Sequence, residues 1–283
     1  VILSVMTDWD TLARELDAWQ AAGLRPTFWW RDDDATRPTP SLKRLIGVAN
    51  KHIVPLFLAV IPSPAQSSLK HLLKNQPYVS VLQHGYSHHN YSSRGKPRSE
   101  LAGQRPVDQM IKDINKGQSK LRSMFPGTQL DVLVPPWGRI SAELISALPA
   151  AGFTGLSMGG DTLSESAPGL RRVDVHVDIV NWRAPVGKTR AIASRTANIL
   201  GLRYPSHHEF VGLANAVDQV VQHLKRRRTG EVNTNTPTGL MTHHLAHDEP
   251  CWEFIDSFLT RTCERPSVHW MTAEELFGVD DQP

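Results

Sequence analysis

The run Arg31-Asp32-Asp33-Asp34 puts three carboxylates side by side behind one guanidinium. Adjacent carboxylates repel, so a site that gathers them offsets the repulsion with a metal ion, another cation or a shared proton. A second group, His84-Gly85-Tyr86-Ser87-His88, spaces two imidazoles four apart, with His89 beside the second. On one helical turn that spacing turns both rings to one side, and neutral imidazole is the commonest ligand for zinc-like ions. Two imidazoles and one carboxylate, with positions left open for water and substrate, are the donors of a catalytic rather than a structural metal site. Each group also has a plain explanation, an acidic turn neutralised by Arg31 and Arg37 or a merely polar histidine loop. Their occurrence together, each after an apolar segment, favours the metal.

The elements that must position these groups can be read from periodicity. Thr27 to Trp30 is an apolar, β-prone segment that opens into the acids, and Tyr78 to Gln83 is another that opens into the histidines. Residues 8–23 carry Trp9, Leu12, Leu16 and Trp19 at helical spacing, with Asp8 as N-cap and Gly23 as C-cap. A helix over 41–49 and a strand over 54–60 follow, then a loop and helix over 62–76. Residues 91–106 are rich in Ser, Gly, Arg and Pro and read as a loop. Helix 107–124, strand 130–134, a helix capped by Ser141 and strands over 153–158 and 173–180 come next. Residues 184–206 read as loop with some helix. A helix over 208–228, a strand over 238–242, a helix over 252–262 and a short strand near 268–271 complete about seven strand-plus-helix units. Polar residues gather where strands end, which is where a parallel α/β barrel carries its active site. The fold class expected is α/β, a distorted (β/α) barrel of about seven parallel strands, with residues 1–283 forming one domain.

Composition limits the alternatives. The 283 residues are 40% hydrophobic and 21% charged, with a net charge of +3, ordinary for a globular protein. The basic cluster Lys225-Arg226-Arg227-Arg228 reads as a helix end that complements the helix dipole, and no interleaved aromatic and basic pattern points to nucleic acid. No stretch approaches ~20 apolar residues and no signal peptide is visible, so the expectation is a cytoplasmic protein without a membrane span. Cys251 and Cys263 sit in the same C-terminal segment, and if that segment is helical they stand roughly 18 Å apart by helical rise, too far for a disulfide. Oligomeric state is not readable.

Asp33-Asp34-Ala35 and His84-Gly85-Tyr86-Ser87-His88 together resemble motifs of the polysaccharide deacetylases, also called the NodB homology or carbohydrate esterase family 4 group. That resemblance implies Asp33 as general base and Asp34, His84 and His88 as ligands of a divalent metal, zinc above others. Asp32 leaves the register of the acids open by one. Val134-Pro135-Pro136-Trp137-Gly138 is similar to a family segment that builds one wall of the groove, but Val134 stands where the family has an arginine that orients the base. Arg31 or Arg139 are the candidates to replace it. Asp178-Ile179-Val180-Asn181-Trp182 and Leu240-Met241-Thr242-His243-His244 look like two further motifs, which imply a site-lining Trp182 supported by Asp178 and a general acid at His243, with His244 as the alternative. Trp137, Trp182, Tyr86 and Arg139 are the implied substrate-binding residues, with a backbone N–H near Tyr86 or Trp137 for the oxyanion. His247 and the pair His207-His208 read as polar loop residues. The function implied is metal-dependent hydrolysis of a C–N amide bond, first of all N-deacetylation of a carbohydrate. Hydrolysis of another small amide or cyclic ureide, or sugar binding without turnover, are the alternatives.

Overall fold

The computed structural model describes residues 7–160, 167–183 and 208–278. The chain begins with α1 (Asp8–Ala21), whose cap is Thr7 rather than Asp8: the Thr7 side chain accepts from the Asp10 N–H while the Asp10 carboxylate reaches back to the Thr7 N–H. Then come β1 (Thr27–Ala35), α2 (Pro40–His52), β2 (Leu56–Val60), α3 (Ser67–Leu73), β3 (Val79–His84), α4 (Val107–Met124), β4 (Gln129–Val134), α5 (Ala142–Ala147) and β5 (Gly155–Leu156). Short strands β6 (Arg171–Arg172), β7 (Val177–Asp178), β8 (Val180–Asn181) and β9 (Glu209–Phe210) precede α6 (Leu213–Arg228), β10 (Thr238–Thr242), α7 (Glu249–Cys263), β11 (His269–Trp270) and α8 (Ala273–Phe277). The reading of 184–206 lies outside the described residues.

The main sheet runs β6-β5-β4-β3-β2-β1-β10-β7, all parallel, with β11 beside the start of β1. Its two end strands belong to one continuous segment. Arg171 and Arg172 pair with β5, Val175 bridges to Gly159, and Val177 and Asp178 pair with β10. One stretch of chain thus touches both ends of the sheet and curls it into the expected distorted barrel. Gly239 has no room for a side chain there, since a Cβ would lie 2.6 Å from the Asp174 carbonyl oxygen and 2.4 Å from the Trp29 indole nitrogen.

Side-chain alternation along the strands sorts the core into layers. Trp29, Phe57, Ala59, Val132, Val134, Val173 and Val175 form an inner cluster, joined by Leu276 and Phe277 of α8. Phe28, Trp30, Leu56, Leu58, Val81 and Leu240 face the helices, and the β4–β5 side is covered by α4 and α5 through Ile114, Leu144 and Leu148. The basic end of α6 is a partial exception to its sequence reading. Arg227 is fully buried, donating to the Thr27 and Thr234 carbonyls and to the Thr27 and Thr238 hydroxyls, with its guanidinium 4.8 Å from the Trp19 ring. Burial pulls it down to about 10, so this arginine ties α6 to α1 and β1 rather than serving the helix dipole. Both cysteines are free. No helix among the described residues is long and apolar enough to cross a membrane.

Candidate metal centre

The acids sit at the end of β1, where alternation assigns each a different face. Arg31 and Asp33, two residues apart, share one side of the strand, and the guanidinium grips the carboxylate with two bonds, 2.9 Å from Nε and 3.0 Å from Nη2. The same guanidinium donates to the Ser157 hydroxyl at 2.7 Å and to the Met158 carbonyl, which fixes it from the segment that follows β5. Asp32 faces the other way and is completely buried. It accepts from the Thr242 hydroxyl at 2.7 Å, from the His244 N–H at 2.9 Å and from the His244 Nδ1–H at 2.5 Å. The pleat thus separates Asp32 from Asp33: Asp32 clamps β1 to the end of β10, and His244 is its partner.

Asp34 breaks the alternation. Its φ is +75°, and the pairing of β1 with β2 shifts register between Asp32 and Ala35. Asp is among the few residues that tolerate this left-handed conformation. One Oδ1 of Asp34 lies 3.5 Å from the His84 Nε2 and 3.4 Å from the His88 Nε2, and it is buried with no hydrogen bond. In a tetrahedral zinc-like site with bonds of 2.0–2.1 Å, ligand atoms stand roughly 3.4 Å apart. The three donor atoms, all within 4.8 Å of one another, fit a cation that would also answer the orphaned oxygen. His84 Nδ1 is 3.0 Å from the Val134 carbonyl, which holds the proton on that nitrogen and turns Nε2 to the cluster. Val134, where the orienting arginine is missing, thus supports a ligand through its backbone.

Burial alone would raise both acids, but the surrounding cations prevail. Arg31, with His84 and His243, holds Asp33 below the usual carboxylate range, and His84 and His88 hold Asp34 lower still. His84 is opposed by burial yet ends above its ordinary value because both acids face it.

The other expected residues divide into two groups. His243 Nε2 is 3.9 Å from the Asp33 carboxylate, across the site from the histidine loop, and its Nδ1 is buried without a hydrogen-bond partner. Trp182 is 45% exposed, packs edge-on against His243 at 4.7 Å, and donates its indole N–H to Asp178 at 2.7 Å. Burial raises the Asp178 carboxyl. Trp137, in a left-handed conformation with φ +56°, lies 4.2 Å from the His88 ring. One tryptophan thus borders His88 and the other borders His243. Tyr86 and Arg139 have other partners. The Tyr86 ring faces Lys116 of α4 at 5.5 Å and its N–H is occupied by Glu100, so it cannot serve as the oxyanion donor. Arg139 is exposed and donates to the Arg98 and Trp137 carbonyls, so of the two candidate arginines Arg31 is the one that touches Asp33.

Three residues were undervalued by sequence. Glu100 is fully buried, and its carboxylate accepts the successive N–H groups of Tyr86, Ser87 and His88 at 3.2, 2.7 and 3.1 Å plus the Ser87 hydroxyl at 2.9 Å. It turns the loop between the two histidines into a nest, and only a glycine fits at 85, where a Cβ would meet the Glu100 Oε2 at 2.2 Å. Glu100→Ala is expected to weaken metal binding about 10–100-fold, as loss of outer ligand support does elsewhere, with Glu100→Gln retaining part of it. Competition against a chromophoric chelator measures this, and unchanged affinity in both variants would refute it. His247 accepts the His243 N–H through Nε2 at 3.1 Å, and burial pushes it down to about 3, so it is neutral at pH 7 and can hold the His243 turn. His208 lies 4.8 Å from the Trp182 ring, while His207 is outside the described residues.

The sequence of residues 28–156 matches the family described as polysaccharide deacetylase. No curated protein matches the chain. Among solved structures, a Mycobacterium smegmatis protein assigned to the polysaccharide deacetylases superposes with a TM-score of 0.60 at 14% identity, over 89% of this chain and 88% of that one. A carbohydrate esterase family 4 pseudoenzyme from Bacillus anthracis gives 0.52 at 12% identity, over 89% of this chain and 66% of that one. A mutant of it with restored enzymatic activity gives 0.53 at 13% identity, over 89% and 68%. At such identities these likenesses establish the fold.

Proposed function

Because the chain belongs to the polysaccharide deacetylase family, we propose that it is a metal-dependent hydrolase of C–N amide bonds that removes the N-acetyl group from a sugar. The observation that carries this reading is the convergence of Asp34, His84 and His88 on one buried, unsatisfied oxygen, beside an ionised Asp33 that donates nothing to the cluster. Two imidazole nitrogens and one carboxylate oxygen are a donor set that zinc takes in catalytic sites. A divalent ion bound there supplies Lewis acidity toward the acetamide carbonyl.

The protein's own groups handle the protons. Asp33, held ionised and aimed by Arg31, takes a proton from the attacking water as the new C–O bond forms. His243, 3.9 Å from Asp33, gives a proton to the amide nitrogen as the C–N bond breaks, so acetate and a free amine leave. Trp137 and Trp182 offer apolar faces for a sugar ring. A binding-only relative was suggested by the missing arginine at Val134, and the Arg31–Asp33 pair supports the catalytic reading over it. Acetate release from chitooligosaccharides by the metal-loaded protein should stop with chelator and resume when the ion is restored. Protein that holds one metal per chain yet releases acetate from no N-acetylated sugar would refute the proposal.

A further inference from the structure

We infer that the substrate of this site carries an anionic group, a phosphate or a carboxylate, close to its acylated nitrogen; this deepens the hydrolase reading and rests on it. The loops that follow β1, β2, β3 and β4, residues 36–39, 61–66, 85–106 and 135–141, rise around Asp34, His84 and His88. Their charges are one-sided. Arg37, Arg94, Lys96, Arg98 and Arg139 are exposed and engage in no ion pair among the described residues. The sole carboxylate in these loops is Glu100, buried and saturated by three N–H groups and a hydroxyl. A sixth cation, Arg105, is already neutralised by Asp113. Over the whole chain 31 basic residues nearly balance 28 acidic ones, so this concentration on one rim is not a general excess.

The backbone that carries three of these cations is closed on itself, and the Arg139 side chain is held. The Tyr91 N–H donates to the Ser99 carbonyl at 2.9 Å and the Lys96 N–H to the Ser93 carbonyl at 3.0 Å, closing the arm that carries Arg94, Lys96 and Arg98. Arg139 Nη1 sits 3.1 Å from the Arg98 carbonyl and 3.4 Å from that of Trp137, whose ring packs on His88. Arg139 is thus anchored to the tryptophan that packs on a proposed metal ligand. Like charges fixed together beside a cleft repel one another but focus field on an arriving anion and raise its local concentration. Guanidinium groups, with their planar donors, suit phosphate and carboxylate oxygens.

The test uses metal-loaded full chain and three probes: N-acetylglucosamine, its 1-phosphate, whose charge is on the carbon next to the acetamido carbon, and N-acetylmuramic acid, whose charge is a carboxylate on the other neighbouring carbon. Binding is measured by calorimetry at 20 mM and 300 mM salt, with acetate release followed in parallel. The expected result is that at least one anionic probe binds ten-fold or more tightly than the neutral sugar at 20 mM, with the gap shrinking at 300 mM as Debye screening sets in. The Arg98→Gln/Arg139→Gln double variant should bring the anionic-to-neutral ratio toward one at low salt. Which anionic arm shows the gap distinguishes phosphate from carboxylate. Equal affinities at low salt, no binding of any probe, or a gap that survives both high salt and the double variant would overturn the inference. Acetate release from the neutral sugar without anionic preference removes only this inference; anionic preference without metal-dependent acetate release from any probe removes the hydrolase reading instead.

Discussion

Asp33→Asn is expected to lower turnover about 10³-fold while the protein still takes up its metal, because the substitution removes a proton acceptor and leaves every proposed ligand in place. The separation follows from the pleat. Asp33 shares its face with Arg31 and approaches His243, whereas Asp34 reaches the two imidazoles through its left-handed backbone. The neighbouring Asp32 cannot take over, since it lies on the opposite face with its oxygens bound to Thr242 and His244. The check is kcat for acetate release together with metal titration of the same sample. Activity within ten-fold of the parent would move the base elsewhere, and loss of metal along with activity would mean that Asp33 is a ligand.

Arg31→Met should be the most destabilising single change in the site. It leaves the Asp33 carboxylate, only 4% exposed, without its cation, and breaking a buried pair from one side costs about 3–5 kcal/mol. For a chain of this size that is a fall in Tm of roughly 10 °C. The sign on catalysis follows from the same pair. Burial raises Asp33 and Arg31 is the main influence lowering it, so without Arg31 the carboxyl moves up and the acid limb of the kcat/KM profile moves to higher pH. Arg31→Lys keeps the charge but loses the two-pronged grip, and it should fall between the parent and the Met variant. The Arg31→Met/Asp33→Asn double variant should regain part of the lost stability, because neither charge is then stranded. A thermal shift within 2 °C of the parent for Arg31→Met would show that the pair is not what holds this corner.

Much of this was legible before any coordinates. Apolar runs and helical patterning located β1, α2, β3, α4, β4, α6, β10 and α7, because a strand buried on both faces reads as a continuous apolar run while a covering helix keeps one apolar stripe. The two imidazoles and the acid could be singled out because few side chains serve as metal donors and two of the three stand at strand ends, with the third four residues beyond. What could not be read depended on where the backbone leaves the regular pattern. Asp34 points to the cluster only because φ is +75°, and no local rule places a left-handed residue inside an acidic run. The work of Glu100 needs a loop of some fifteen residues to fold back on itself, so nothing near His84 in sequence announces it. The choice between Arg31 and Arg139 was in principle accessible, since residues two apart on a strand share a face, yet it turned on which acid was the base. His244, the alternative acid, is locked to a buried Asp32, and His247, which looked like loop polarity, holds the His243 turn. Helix α8 went unseen because five residues carry too little periodicity, although Leu276 and Phe277 pack into the inner core.

The account turns on whether Asp34, His84 and His88 hold one ion, and metal titration of the purified chain asks this directly. Stripped protein titrated with zinc, and independently with cobalt read by its visible spectrum, should saturate at about one equivalent in the parent and show no such site in His84→Ala or His88→Ala. A parent chain that binds neither ion in excess, or histidine variants that bind as tightly as the parent, would contradict it.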